Sequence, residues 1–158
     1  MDEWLERYAR LTKTVLPEAD ATAAGAVAAG GLGFAFQSYL NAVLEPGIEI
    51  IMDECGLDEK IRKADIVITG EGRLDGQSSL GKAPIGVAGL AKKYNKPVFA
   101  FAGSVTKDAR ACNENGIDAY FSILQRIVTL ETAMEQQNAY ENLEDSAEQV
   151  FRAICAVR

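Results

Sequence analysis

The segment from Ala64 to Tyr94 constrains the fold of this chain more than any other part of the sequence. A short β-branched run at residues 65–69 is typical of a buried parallel strand, and it ends at Gly70. A polar loop over residues 70–82 follows, and Pro84 then stands in the first turn of an amphipathic helix, where its missing N–H costs little. This order predicts an anion site at the loop, because backbone N–H groups and the helix dipole both point there.

The rest of the chain continues the alternation of strands and helices that a parallel sheet with right-handed crossovers requires. Further strands are predicted at residues 98–102 and 118–122. Further helices are predicted at residues 84–94, at 107–115 with Gly116 as a left-handed cap, and near 129–134. The last helix carries a predicted core-facing stripe formed by Leu143, Ala147, Val150, Ile154 and Val157. The fold class is therefore α/β, with three layers around a short parallel sheet of the flavodoxin or Rossmann type.

Residues 1–63 are predicted to form an N-terminal helical and glycine-rich segment, and residues 64–158 the α/β domain. The first helix should end before Pro17, and its apolar face is formed by Trp4, Tyr8, Leu11 and Val15. A run of small residues, 21–33, leads into a predicted buried helix over residues 34–43, and two short helices are predicted at 47–54 and 58–63. The glycines of this run permit either close helix packing or a ligand-facing turn, and the sequence leaves both open.

Composition restricts the classes of function. The 158 residues suffice for one sizeable core, and the net charge of −7 makes nucleic acid and anionic membranes improbable partners. The charged first residues and the lack of long apolar runs indicate a cytoplasmic protein. The chain has no histidine, which excludes imidazole metal sites and Ser–His–Asp or Cys–His chemistry within it. Its three isolated cysteines, Cys55, Cys112 and Cys155, are expected to be buried or half-buried thiols.

Two familiar motifs are only partly matched by the loop. Residues 70–75 begin like a dinucleotide fingerprint, but Asp75 replaces the third glycine and the loop is too long for the required tight turn. Residues 76–83 match the phosphate-loop pattern except that Ala83 stands where a hydroxyl should bind magnesium. Neither motif therefore identifies the ligand.

A family resemblance is more specific. The segment TGEGRLDGQSSLGKAPIGVAGLAKKYNKPVFAFAGS, residues 69–104, resembles the signature region of the bacterial glycerate kinases, which phosphorylate D-glycerate with ATP, many of them at the 2-hydroxyl. The resemblance extends to AAGGLG at 28–33, PGIEI at 46–50 and GIDAYF at 116–121. Members of that family are more than twice as long and carry DSFKGS-like and ADGGEGT-like motifs that do not occur here. The resemblance therefore covers the C-terminal portion of the family.

The resemblance implies a phosphoryl-transfer site with ATP and Mg²⁺, and the loop supplies candidate residues for it. Asp75 is the first candidate for the catalytic carboxylate or for a Mg²⁺ ligand, and Glu71 is the second. Substrate or phosphate contacts are expected from Gly70, Gly72, Arg73, Gln77, Ser78, Lys82, Gly30 and Gly31.

Structural alternatives for the loop side chains stay open. Asp75 could close a turn or pair with Arg73, the two cations could be solvated, and Ser78 or Ser79 could satisfy backbone N–H groups. The loops after the other two strands, residues 103–108 and 122–129, face the same edge of the sheet. In the first of them Ser104 or Thr106 is expected to cap the next helix.

The resemblance thus implies the C-terminal part of an ATP-dependent glycerate kinase, inactive alone, whose partners are D-glycerate and the missing N-terminal part of the same enzyme. Loss of a neighbouring strand would leave a free sheet edge, which is a route to a homodimer. The alternative from the sequence is a non-catalytic α/β module that binds a small anionic ligand or nucleotide. A structural remnant with a disordered loop is the third interpretation.

Overall fold

The computed structural model describes residues 2–79 and 82–157. The chain divides into two compact units, Met1–Ile50 and Ile51–Arg158. This boundary lies earlier than the one at residues 63 and 64 that the composition suggested. The reason is that Ile61 is buried in the core of the α/β unit, with Met52 and Leu57 packed against the same cluster.

The first unit is helical. It contains α1 (Asp2–Val15), α2 (Ala28–Leu40) and the start of α3 (Gly47–Glu54). Its small core joins Ala19, Ala26 and Phe34, and the Tyr8 ring meets the Phe34 ring edge-on at 5.3 Å. Helix α1 ends before Pro17 as predicted, but Trp4, Leu11 and Val15 of its apolar face are exposed.

The predicted buried helix over residues 34–43 is wrong in its burial and its end. Of the helix beyond Gly33, only Phe34 is buried, while Phe36, Tyr39 and Leu40 are exposed. The helix stops at Leu40 because Asn41 adopts a left-handed conformation with φ of 50°. The pattern of apolar residues was correct, but no described residue of this unit buries that face.

The second unit contains a three-stranded parallel sheet in the order β1 (Val67–Leu74), β2 (Val98–Val105) and β3 (Ala119–Ser122). The helices are α4 (Leu57–Lys63), α5 (Ala83–Lys92), a 3₁₀ turn (Lys107–Arg110), α6 (Ala111–Glu114), α7 (Leu130–Met134) and α8 (Gln136–Ala156). The predicted α/β class and parallel sheet are confirmed. Gly116 has φ of +101°, as its predicted left-handed position requires.

Strand β1 is longer than the sequence indicated. It was expected to end at Gly70, but it continues to Leu74, and β2 likewise continues from Ala102 to Val105. The extension is held by parallel pairing that runs from Val67 beside Val98 to Leu74 beside Val105. Glu71 and Arg73 therefore lie on a strand rather than in a loop.

One face of the sheet is well packed and the other is not. Val98, Ala100 and Ala102 belong to a buried cluster with Ala88 and Ala91 of α5. On the opposite face, the Phe101 and Phe121 rings lie 5.6 Å apart. A cavity of about 470 Å³ separates that face from α8, and its lining includes Phe99, Phe121, Val150 and Ile154.

The predicted core-facing stripe of α8 faces the sheet, but it is only partly covered. None of its five residues is buried, and Leu143 and Val157 are exposed. Ser146 is the buried residue that α8 contributes among those described. The helix packs loosely beside the sheet, so the stripe lines the space between them rather than a filled core. Within the described residues, no helix combines the length and apolar character needed to cross a membrane.

The close approach of β1 and β2 gives a stability prediction. An ideal Cβ atom at Gly103 would lie 2.7 Å from the carbonyl oxygen of Gly72, which is strand backbone and cannot move aside cheaply. We expect Gly103→Ala to lower the free energy of unfolding by about 1–3 kcal/mol, measured by urea unfolding. The control Gly89→Ala, on the exposed side of α5 with nothing within 4 Å, should raise it by up to about 1 kcal/mol. Equal effects of the two substitutions would contradict this packing.

Candidate functional site

Asp75 closes a turn directly after β1. Its Oδ1 atom accepts hydrogen bonds from the backbone N–H groups of Gln77, at 3.0 Å, and Ser78, at 3.1 Å. The N–H of Asp75 in turn donates to the Ser78 hydroxyl at 3.2 Å. Asp75 therefore has the turn-closing role that the sequence left open, and this role uses one of its two carboxylate oxygens.

Two cations lie beside the same carboxylate. Arg73 Nε is 3.7 Å from Asp75 Oδ2, and Lys82 Nζ is 3.9 Å from Oδ1. Both distances are long for ion pairs, and the side chains of Arg73 and Lys82 are 67% and 46% exposed. Such pairs contribute little to stability, so both cations are free to turn toward an anion. The predicted group of Asp75, Arg73 and Lys82 is brought together by the fold.

Glu71 precedes this turn on β1 and is half-buried. Its Oε1 atom is buried, and no described residue forms a hydrogen bond to it. A buried carboxylate oxygen without a partner is unfavourable unless a ligand or solvent satisfies it. The residue also lines, with Gly70 and Gly103, a cavity of about 410 Å³.

The other polar loop residues divide by accessibility. Gln77 is exposed, so its amide is available to a ligand. Ser78 is fully buried, and both its N–H and its hydroxyl bond to Asp75. Ser79 donates to the Gly76 carbonyl at 2.6 Å. Substrate contact by Ser78 stays a prediction, and the geometry shows it supporting the turn.

Gly70 and Gly72 lie on β1, and both are exposed. A Cβ atom at Gly70 would collide with the Phe101 carbonyl oxygen, whereas one at Gly72 would meet nothing within 4 Å. A glycine is therefore required at position 70 for β1 to lie against β2, whereas at position 72 there is room for a side chain or a ligand. Their contact with a ligand stays a prediction.

The N-terminus of α5 offers fewer donors than the sequence suggested. The N–H groups of Ile85 and Gly86 both bond to the Lys82 carbonyl, and Pro84 has none. The Lys82 side chain is consequently the main positive group at this end of the helix. Leu80 and Gly81 of the phosphate-loop-like segment lie outside the described residues.

Asp108 is a member of the site that the sequence did not single out. The Thr106 hydroxyl donates to Asp108 Oδ1, and this bond, with the Gly76 N–H and the Arg73 charge, lowers the pKa of Asp108. Thr106 lies at the predicted N-cap position of the following turn, but its side chain forms no cap hydrogen bond. Its hydroxyl and N–H instead reach the Leu74 carbonyl, at 3.2 and 3.0 Å. The position of residues 103–108 after a neighbouring strand was the available signal.

Cys112 lies beneath the turn, with its thiol 3.8 Å from the Asp75 carbonyl oxygen. Burial raises the pKa of this thiol, and the negative charges of Glu71, Asp75 and Asp108 raise it further. The group therefore stays a neutral thiol that packs under the site. The expectation for the other two cysteines is wrong, because Cys55 and Cys155 are exposed.

Gly30 and Gly31 belong to the first unit, at the start of α2. Together with Ala29 they adopt left-handed conformations, with φ of 50°, 66° and 92° for residues 29 to 31. A Cβ atom at Gly30 would meet nothing within 4 Å, while one at Gly31 would lie 2.6 Å from the Leu5 side chain. Gly31 thus allows the Leu5 side chain to pack against the backbone, whereas no described atom occupies the space beside Gly30. Their predicted role in ligand binding is not tested by this geometry.

The fold and the loop define an α/β domain whose strand-end turn carries a carboxylate between two exposed cations. The chain belongs to the glycerate kinase family, whose family model matches residues 1–155. It is 47% identical over 143 residues to glycerate 2-kinase of Escherichia coli, which covers 90% of this chain and 37% of that protein. It is 41% identical to glycerate kinase of Bacillus subtilis over 154 residues, which covers 98% of this chain and 40% of the relative.

A crystal structure described as glycerate kinase 2 from Salmonella typhimurium LT2 superposes on this chain with a TM-score of 0.73 and is 44% identical in sequence. The superposition covers 96% of this chain and 38% of that one. The chain therefore spans about two-fifths of the length of these relatives, and the matched part is their C-terminal part. The predicted family and portion are both confirmed.

The lowered pKa of Asp108 predicts an acid dependence. Its ordinary pKa is 3.8, and the folded pKa is lower, so ionised Asp108 stabilises the fold above pH 3.8 and this contribution is lost as pH falls through the folded pKa. In Asp108→Asn the free energy of unfolding should fall less steeply below about pH 4, measured by urea unfolding at a series of pH values. Thr106→Val, which removes the largest cause of the shift, should flatten the profile in the same direction. A wild-type slope in both variants would contradict the assignment.

Proposed function

We propose that this chain forms part of the active site of an ATP-dependent kinase that transfers a phosphoryl group to a hydroxyl of D-glycerate. The observation that carries the proposal is the turn after β1, where Asp75 lies between Arg73 and Lys82. Family membership supplies the reaction class, since the curated relatives are named glycerate kinases. The proposal places the reaction in the cytoplasm.

Phosphoryl transfer depends on positioning and charge neutralisation more than on covalent chemistry by the protein. Lys82 and Arg73 suit the phosphates of ATP or the carboxylate of glycerate, because each already lies near an anion at a loose distance. The exposed amide of Gln77 suits the substrate hydroxyls. The turn that Asp75 closes holds these side chains in one place.

Asp75 Oδ2 is the carboxylate oxygen left for the reaction, since no described residue donates a hydrogen bond to it. It serves either the attacking hydroxyl, whose proton it would accept, or Mg²⁺. Glu71, with its unpartnered Oε1, is the second carboxylate of the proposed site. Both lie at the carboxyl end of a parallel strand, where α/β proteins place ligands.

The residues fit Mg²⁺ as an ion held by one protein carboxylate. Among the described residues, no group of three His, Cys, Asp or Glu side chains could hold a metal alone. Mg²⁺ commonly takes one or two carboxylates together with phosphate oxygens and waters, so Asp75 suffices as the protein ligand. When bound, the ion would neutralise charge on the phosphates of ATP.

The chain by itself is expected to have little or no kinase activity, because a site assembled from two regions loses positioning when one is absent. We expect no ADP release above background from the chain with glycerate, ATP and Mg²⁺. A single polypeptide that joins the N-terminal part of E. coli glycerate 2-kinase to this chain, in place of the matched residues, should release ADP in a glycerate-dependent manner. Turnover by the chain alone would contradict the shared site. An inactive but folded chimera would favour a non-catalytic anion-binding module.

In that chimera, Asp75→Asn should lower kcat by about 10²–10⁴-fold, since the amide oxygen can still close the turn but the charge is lost. Glu59→Gln, on the exposed side of α4, is the control and should leave kcat unchanged. A raised Mg²⁺ requirement in Asp75→Asn would assign Oδ2 to the metal. A lowered kcat at unchanged Mg²⁺ dependence would assign it to the hydroxyl. Unchanged turnover would remove Asp75 from the mechanism.

A further inference from the structure

Strand β1 forms an open edge of the sheet. It is eight residues long and pairs with β2 on one side, and within the described residues no strand pairs with its other side. Ile68 on this edge is 48% exposed, and Gly70 and Gly72 are also exposed. Folded proteins normally protect such edges with short strands, proline, charged residues or a covering element. By contrast, β3 at the opposite edge has only four residues.

The backbone groups that face outward can be assigned from the ladder. The Val67 N–H donates to the Pro97 carbonyl at 2.9 Å, so Val67 directs its backbone groups toward β2. Alternate residues of a parallel strand bond to opposite neighbours. The N–H and carbonyl groups of Ile68 and Gly70 therefore point to the open side.

Two hollows with mostly apolar linings lie beside this edge, between β1 and α8, and Glu71 lines the first of them. One, of about 410 Å³, is lined by Ile68 and Leu143, and the other, of about 440 Å³, by Ile68, Phe151 and Ile154. Leu143 is 44% and Phe151 40% exposed, although both belong to the apolar side of α8. The open edge is thus accompanied by space for apolar side chains of an added strand.

We infer that the β1 edge and these hollows form the docking surface for a β-strand from the part of a glycerate kinase that this chain does not span. The inference rests on the proposed function. In the relatives, the segment similar to this chain is 37–40% of a longer polypeptide, and in the S. typhimurium structure the similar part is 38% of one chain. The comparisons therefore point to the remaining, larger part of the family's polypeptide as the partner that covers the β1 edge.

A second copy of this chain is a poorer occupant. Each copy carries a net charge of −7, and like net charges repel on association. A strand from the family's remaining part that pairs in parallel with β1 would also end beside Asp75, because the carboxyl ends of parallel strands meet at one edge. The docking surface would then bring further site residues to the turn.

The test is co-production of the intact 158-residue chain, bearing an affinity tag, with the N-terminal part of E. coli glycerate 2-kinase as a separate polypeptide. The wild-type chain should co-purify that part in a one-to-one complex. Ile68→Pro should reduce the recovered partner by at least about 10-fold, because proline removes the outward N–H of the edge without removing a bond to β2. Ile68→Ala is the matched control, since it shortens the same side chain and keeps that N–H, and it should retain the complex.

Circular dichroism and urea unfolding of both variants show whether they fold, and Ile68→Lys places a charge on the edge as a second block if Ile68→Pro does not fold. Co-purification that survives both Ile68→Pro and Ile68→Lys would overturn the inference by placing the contact elsewhere. A wild-type dimer that Ile68→Pro converts to a monomer, with no partner bound, would show that a second copy occupies the edge. No association of either kind would overturn the inference as well. A complex that forms through this edge but releases no ADP leaves the docking surface standing while the proposed reaction fails.

Discussion

The parallel pairing of β1 with β2 over their full length is the interaction on which the candidate site depends. It continues past the glycines to Leu74 beside Val105, and the Leu74 carbonyl then accepts a hydrogen bond from the N–H of Thr106. This contact places the turn closed by Asp75 next to the segment that carries Asp108. Two loops distant in sequence thereby contribute charges to one location, as expected at the carboxyl edge of a parallel sheet.

Within that location, one carboxylate has two separable tasks. Oδ1 of Asp75 is committed to backbone N–H groups, which fixes the turn, and among the described residues Oδ2 has the loosely held Arg73 as its neighbour. Because the structural and chemical tasks fall on different atoms, the alternatives that the sequence left open for Asp75 are compatible with each other. Asp108 adds a second ordered carboxylate, held through Thr106, on the other side of Gly76.

The local patterns of the sequence were sufficient to predict the parallel sheet and the grouping of Asp75 with Arg73 and Lys82, and the family resemblance of residues 69–104 predicted the family. They could not show that β1 continues to Leu74, because a glycine after a β-branched run usually marks the end of a strand. Here Gly70 stays within the strand because the β2 backbone at Phe101 leaves no room for a side chain. Burial was the other error. The apolar stripe of α8 and the faces of α1 and α2 were correctly seen as apolar, but periodicity shows only that a face is suited to burial. Asp108 was missed because an aspartate near the start of a helix usually serves to stabilise that helix N-terminus.

The central claim is that the turn after β1 binds anions. The most direct measurement is a ¹H–¹⁵N NMR titration of the chain with inorganic phosphate and with ATP–Mg²⁺. We expect saturable shifts at the amides of Gln77, Lys82 and Ala83 that disappear in Lys82→Ala, while amides of the cluster around Lys92 and Asp118 stay unchanged. Shifts spread evenly over the surface lysines, or none at the turn at millimolar ligand, would contradict the account.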